Sequence, residues 1–288
     1  MIAALVALLL APHLVATIPT GNAPCGAAAG FGAVWIATDG SGTLARVDPR
    51  TNRVARRIDV GAGACSVAAA AGAVWVVNYK TNALLRVDPR TLRTRSVHVD
   101  STPFDVLVAF GRVWVTGWEA GILDEVDPVS LTIVRRIDVG PRPVGLAARR
   151  GAVWVGFGRE ATAIVRVDPA TASVTRFPVG AARPGWFAAG TPDLWVQAAD
   201  SDLLQVDPAS GQLRGRLHVG RTLGQGAASP DGTIWVPDKE SSVVHRIDPV
   251  RRRVLDSFPA GPGAYLVLRA FGSMWVLSYA GSDVRRFR

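Results

Sequence analysis

The 288 residues are 49% hydrophobic and 19% charged, with 30 glycines and 19 prolines, which excludes a disordered chain and suits a turn-rich β protein with a large core. The formal charge of +9 comes almost wholly from arginine, because Lys80 and Lys239 are the only lysines. Such a balance raises the question of a polyanionic partner without answering it.

The first element is an apolar run, Ile2 to Ala11, too short for a helical membrane span and as long as a signal-peptide core. No basic residue precedes it, and Leu14-Val15-Ala16 is a poor cleavage site. Residues 1–12 are therefore read as the remnant of an export signal or as a frayed apolar N-terminus. The expected location is extracytoplasmic, with the cytoplasm as the alternative and no transmembrane span.

From residue 13 onward one period runs through the chain. Seven tryptophans stand in the same phrase, AVWIA (Trp35), AVWVV (Trp75), RVWVT (Trp114), AVWVG (Trp154), DLWVQ (Trp195), TIWVP (Trp235) and SMWVL (Trp275), at steps of about forty residues. A second phrase keeps the step, Val/Ile-Asp-Pro at Asp48, Asp88, Asp127, Asp168, Asp207 and Asp248. Each unit holds four short β-branched or apolar runs between turn signals, as in Ser66–Ala71, Ala73–Asn78, Leu84–Asp88 and Thr94–Val99. Four strands in such a unit make one propeller blade, here named inner, second, third and outer. The aspartate of each Asp-Pro turn is placed to accept backbone amides while the proline presets the next φ. The repeated tryptophans are expected to fill the wedges between blades.

The two ends complete one blade. Residues 13–21 align with the outer strand of the next unit, at 53–61, and 283–288 align with a third strand, at 243–248. The chain thus begins with a spare outer strand of about residues 13–21 and ends three strands into its last blade. The expected fold is all-β, a single seven-bladed β-propeller over residues 13–288 with four antiparallel strands per blade, closed by pairing the N-terminal outer strand with the C-terminal three strands.

Arginines 53, 56, 57, 93, 95, 135, 136, 176, 214, 216 and 251–253 fall in outer strands or the turns leading to them. Long cations on edge strands resist pairing with other chains, and the aromatic interleaving of single-strand binders is missing there, so no specific nucleic-acid partner is expected. Cys25 and Cys65 occupy equivalent inner-strand positions of adjacent blades. They are either a disulfide, if their Cα atoms come within about 7 Å, or two separate small buried thiols. The chain has no P-loop, no Gly-x-Ser-x-Gly, no His-Glu-x-x-His and no Cys-x-x-Cys. Its histidines, His13, His98, His218 and His245, fall in outer or third strands, and no metal site is expected.

The repeat seen best at Ala73–Asn78 and Leu85–Thr91 resembles the virginiamycin B lyase-like and YVTN-type seven-bladed propellers of bacteria, over essentially residues 13 to 288. The resemblance implies the propeller fold and, in the lyase itself, elimination that opens a cyclic depsipeptide lactone with a histidine base and a carboxylate-held magnesium. The lyase tends to place a glutamate at the end of the second strand. Here that position holds Thr38, Asn78, Gly117, Phe157, Ala198, Asp238 and Ser278, of which only Asp238 is acidic.

Loops entering the inner strands and loops between second and third strands share one face and ring the channel mouth. Residues there that break the repeat are the candidate ligand-binding set: Tyr79, Lys80, Asp105, Trp118, Glu119, Arg142, Arg183, Trp186, Gln225, Asp238, Lys239 and Tyr265. Aromatics mixed with single charges suit a protein, glycan or small ligand. The favoured reading is a non-catalytic, exported, monomeric propeller that uses this face and no cofactor. The alternative is a lyase-like enzyme opening a cyclic lactone by elimination or hydrolysis, with Asp238 or Glu119 as the serving carboxylate and magnesium as cofactor. A perturbed acid at the mouth would favour the enzyme.

Overall fold

The computed structural model describes residues 12–99, 102–158, 161–180, 183–199 and 201–288. The expectation of an export-signal remnant falls on residues that are almost all outside this range. The described residues form seven antiparallel sheets with no helix. No helix among them is long and apolar enough to cross a membrane.

Blade 2 is typical, with its inner strand at Ala64–Ala70, second at Ala73–Asn78, third at Ala83–Val87 and outer at Thr94–His98, paired in that order. The second strand is buried at all six positions. That is why it reads as a continuous apolar run, whereas the outer strand is mostly exposed and reads as arginine and threonine. Closure follows the expected route: Leu14–Pro19 pairs antiparallel with the third strand Asp283–Phe287, which pairs with Ser273–Ser278 and through it Ala264–Ala270. His13 and Arg288 add reciprocal backbone bonds of 2.9 and 3.1 Å, so both ends of the chain are tied into one sheet.

The core is a ring of seven seams. Each repeated tryptophan is buried and clusters with apolar residues of the following blade: Trp35 with Val74 and Val76, Trp75 with Val113 and Val115, Trp114 with Val153 and Val155, Trp154 with Val196. Trp195 meets Val236, Trp235 meets Val276, and Trp275 closes the circle on Val34 and Ile36. Each indole therefore glues one twisted sheet to the next. Three of them also carry a cross-strand arginine over the ring, Arg46 at 5.7 Å, Arg86 at 6.0 Å and Arg286 at 4.9 Å from the centroid.

The Asp-Pro turns are built as expected. In blade 2, Asp88 Oδ1 accepts the amides of Arg90 at 2.8 Å and Thr91 at 2.9 Å, and these donors hold its carboxyl below the usual range. The outer-strand arginines do more than keep an edge soluble. Arg57 donates to the Thr20 carbonyl, Arg176 to Val139 at 3.0 Å, and Arg135 to Pro169 at 2.6 Å, in each case joining neighbouring blades.

Blades 5 and 6 depart from the pattern on their inner edge. In blade 5 the run carries Pro184 and Gly185 and pairs with Leu194–Ala198 through a bridge at Phe187 and bonds such as Ala188 N–H to Trp195 O, 2.8 Å. Blade 6 keeps only Ala227–Ala228 as an inner strand, between Gly226 and the Pro230 turn. Gly224 sits so close to blade 7 that a Cβ there would lie 1.9 Å from the Tyr265 carbonyl oxygen.

Candidate functional site

Two positions of the repeat build the channel mouth. One is the residue after the second strand, which supplies Asp39, Tyr79, Trp118, Lys239 and Tyr279 in five blades. The other is near the start of the inner strand, where the ladder slips between Pro24 and Gly26, Ala64 and Val67, Pro103 and Val106, and Ala264 and Leu266. A bulge of this kind re-aims side chains, and the residues within it are Cys25, Cys65, Phe104 and Tyr265. Their side chains meet those of Tyr79, Lys239 and Tyr279 around a cavity of about 180 Å³.

The aromatic rings continue beyond that cavity. Phe104 stacks on Trp118, with centroids 5.2 Å apart, and lies 5.6 Å from Trp186. Trp118 reaches over Gly158, where a Cβ would fall 2.5 Å from its ring, so a glycine in blade 4 makes room for a tryptophan of blade 3. Tyr265 and Tyr279 are 5.8 Å apart. Six rings, Tyr79, Phe104, Trp118, Trp186, Tyr265 and Tyr279, are thus half-buried on one face. Lys239 Nζ lies 4.8 Å from the Tyr279 centroid and 5.7 Å from that of Tyr265. Lys80 lies over Tyr79 at 5.8 Å, and Arg142 over Trp118 at 5.9 Å.

Below the mouth is a second cavity of about 290 Å³ within the channel, sharing Cys25, Cys65 and Tyr265 with the first. The two cysteines are bonded in a disulfide, with Cα atoms 4.9 Å apart. Gly26 permits this approach of blades 1 and 2, since a Cβ there would be 2.2 Å from the Cys65 carbonyl oxygen. Asp105, Trp186 and Gln225 line the same channel. Asp105 is buried and ties three blades: its Oδ1 accepts Ser66 Oγ–H at 2.6 Å and Val106 N–H at 2.9 Å, and its Oδ2 accepts Leu146 N–H at 2.8 Å. Burial pushes its carboxyl up to about 6 against the pull of these donors. Burial likewise raises Tyr265 to about 12, helped by the neighbouring Tyr279, Asp105 and Asp39. Tyr79 is raised first by burial and then by donating its hydroxyl to Asp39 Oδ1 at 3.0 Å.

The structure thus brings together Tyr79, Lys80, Asp105, Trp118, Arg142, Trp186, Gln225, Lys239 and Tyr265. Glu119 and Arg183 are exposed and line neither cavity. Asp238 is buried away from both, where it accepts the amides of Arg221 at 3.0 Å and of Thr222 and Glu240 at 3.1 Å. Burial alone would raise its carboxyl, but Ser241 and these amides outweigh that and hold it at about 2. Asp238 is the loop-fastening residue of blade 6, as Asn78 is in blade 2, where the side chain donates to Val60 O at 2.9 Å. His245 lies beside it, Nε2 3.6 Å from Asp238 Oδ2, and burial lowers its pKa. A magnesium does not fit these carboxylates: Asp238 is turned to backbone amides, both Asp105 oxygens accept protein donors, and no three His, Cys, Asp or Glu side chains among the described residues converge.

Sequence reasoning missed Asp39, Phe104 and Tyr279. The signal was present, because Asp39 and Tyr279 share the repeat position of Tyr79, and Phe104 that of Cys65 and Tyr265.

No protein-family model and no curated protein sequence matches the chain. Solved structures do. A streptogramin B lyase superposes with a TM-score of 0.81 at 14% identity, covering 93% of this chain and 94% of that one. The fold is that of a virginiamycin B lyase-like seven-bladed propeller. A catalytically inactive variant of virginiamycin B lyase from Staphylococcus aureus, with quinupristin, gives 0.80 at 13% identity over 96% and 98% of the two chains. Hydrazine synthase of Kuenenia stuttgartiensis gives 0.80 at 14% over 93% and 96%. Proteins with such different names share this frame, so the likeness carries the architecture and not a reaction.

Proposed function

We propose that the chain is a non-catalytic, monomeric binding propeller that captures a ligand at its channel mouth. The observation that carries this reading is the convergence of six half-buried aromatic rings on one face. Concave aromatic surfaces with a few placed charges are what small ligands and peptide side chains dock on. An exported location accords with the Cys25–Cys65 disulfide, since such bonds persist in oxidising compartments.

The fold likeness and the raised carboxyl of Asp105 favour one second reading, a lyase or hydrolase acting on a cyclic lactone. The test separates the two. Purified protein is incubated with a cyclic depsipeptide lactone and magnesium, and the substrate is followed by chromatography with mass spectrometry. Binding alone leaves it untouched; a shifted peak of unchanged mass means elimination, and a gain of one water means hydrolysis.

A further inference from the structure

The cavity at the mouth is small. At about 180 Å³ it falls below the roughly 300–1,000 Å³ of ordinary ligand pockets, so it suits a single ring or a short aliphatic body rather than a polymer. Its walls are tyrosine and phenylalanine faces with the disulfide and Pro103 between them.

Its charge is the unusual part. The chain has 32 lysines and arginines but only two lysines, and both are at this mouth, each stacked on tyrosine. Neither ammonium has a carboxylate within ion-pair distance among the described residues. The acids nearby are engaged otherwise: Asp39 takes the Tyr79 hydroxyl, Glu240 pairs with Arg221 at 2.9 Å, and Asp105 and Asp238 accept internal donors. An aromatic bowl by itself attracts cations, but here the chain's own Lys239 already occupies the faces of Tyr265 and Tyr279. What the mouth offers to solvent is a fixed positive charge beside apolar walls.

From this we propose that the mouth takes a small monoanionic organic acid, its negative group on the Lys239 ammonium and its apolar body against Tyr79, Phe104 and Tyr279. This rests on the mouth-binding reading above and narrows it to a ligand class. Lys80, over Tyr79, supplies long-range attraction to the same anion.

The probes are benzoate, its neutral isostere benzamide and benzyltrimethylammonium, titrated into the whole protein. Affinity is measured by calorimetry and location by the ring resonances of the three tyrosines, each at the mouth. Benzoate is expected to bind roughly tenfold or more tighter than benzamide, the increment of a hydrogen bond to a charged group, with shifts at Tyr79 and Tyr279. Lys239→Met should abolish the preference of benzoate over benzamide, while Lys239→Arg retains it; Lys239 is exposed, so both variants fold. Equal affinities for acid and amide with the same tyrosine shifts would overturn the acid inference and leave mouth binding standing. Tighter binding of the ammonium would overturn it too, by making Lys239 a displaceable plug. If no probe moves a tyrosine resonance, the mouth reading falls and the inference with it.

Discussion

Blades 1 and 2 and blades 5 and 6 come from the same repeat, yet their inner edges differ. The first pair keeps full inner strands, Pro24–Gly30 and Ala64–Ala70, drawn together by glycine and alanine and joined by a disulfide. In the second pair the inner strand is interrupted, surviving as Ala227–Ala228 in blade 6 and as a bridge at Phe187 with single backbone bonds in blade 5, where Trp186–Phe187 stands in place of Gly26-Ala27 and Ser66-Val67. The seams behind these edges, however, are equally buried: Trp35 and Trp75 at 0%, Trp195 at 1%, Trp235 at 3%. Stability of the ring resides in the seams, and the axis is free to vary.

The sharpest test of that division compares two tryptophans. Trp75→Ala empties a seam between blades 2 and 3 and should cost about 3–5 kcal/mol in urea unfolding, the usual range for a buried large aromatic. Trp186→Ala removes a half-buried ring from the mouth and should cost under about 1 kcal/mol while weakening ligand capture. Equal losses would remove the distinction between seam and mouth.

Breaking the disulfide tests the tight pair. It closes a 40-residue separation, for which chain-entropy arguments give about 4 kcal/mol and experience about 2–4. Intact mass with and without reductant establishes the bond, and urea melts of the Cys25→Ser, Cys65→Ser double variant measure its contribution. A change below about 1 kcal/mol would mean that the glycine-permitted contact already holds the inner edge.

A smaller effect should appear with pH. The Asp105 carboxyl, at about 6 in the fold against about 3.9 when unfolded, keeps its proton longer in the native state. Its contribution is most favourable below pH ~4 and declines as pH rises through about 6, by at most ~3 kcal/mol at ~1.4 kcal/mol per unit. The turn aspartates 88, 127, 168, 207 and 248 act oppositely. Their carboxyls are lowered chiefly by backbone amides, so their stabilisation is present above pH ~4 and fades as pH falls below it. Asp105→Asn should flatten the stability profile between pH ~4 and ~6 and leave the acid limb unchanged. An unaltered profile in that window would show that Asp105 titrates normally.

Residue order alone determined the ring. A repeat of this regularity dictates strand count, buried seams and Asp-Pro turns, because each rests on local chemistry or on a period that survives in one dimension. The offset of the two ends also dictated closure, since an outer strand without a blade has one place to pair. It could not tell which repeat-breaking residues converge. Tyr79 and Lys239 stand 160 positions apart in number yet share one cavity, because only a closed circle brings blade 2 next to blades 6 and 7 across the axis. The same holds for acidity. Asp105 and Asp238 read alike as acids on the mouth face, but one is raised to about 6 by burial and the other held at about 2 by amides. Burial and donor geometry are properties of the folded ring, and those alone decide what a carboxylate there can do.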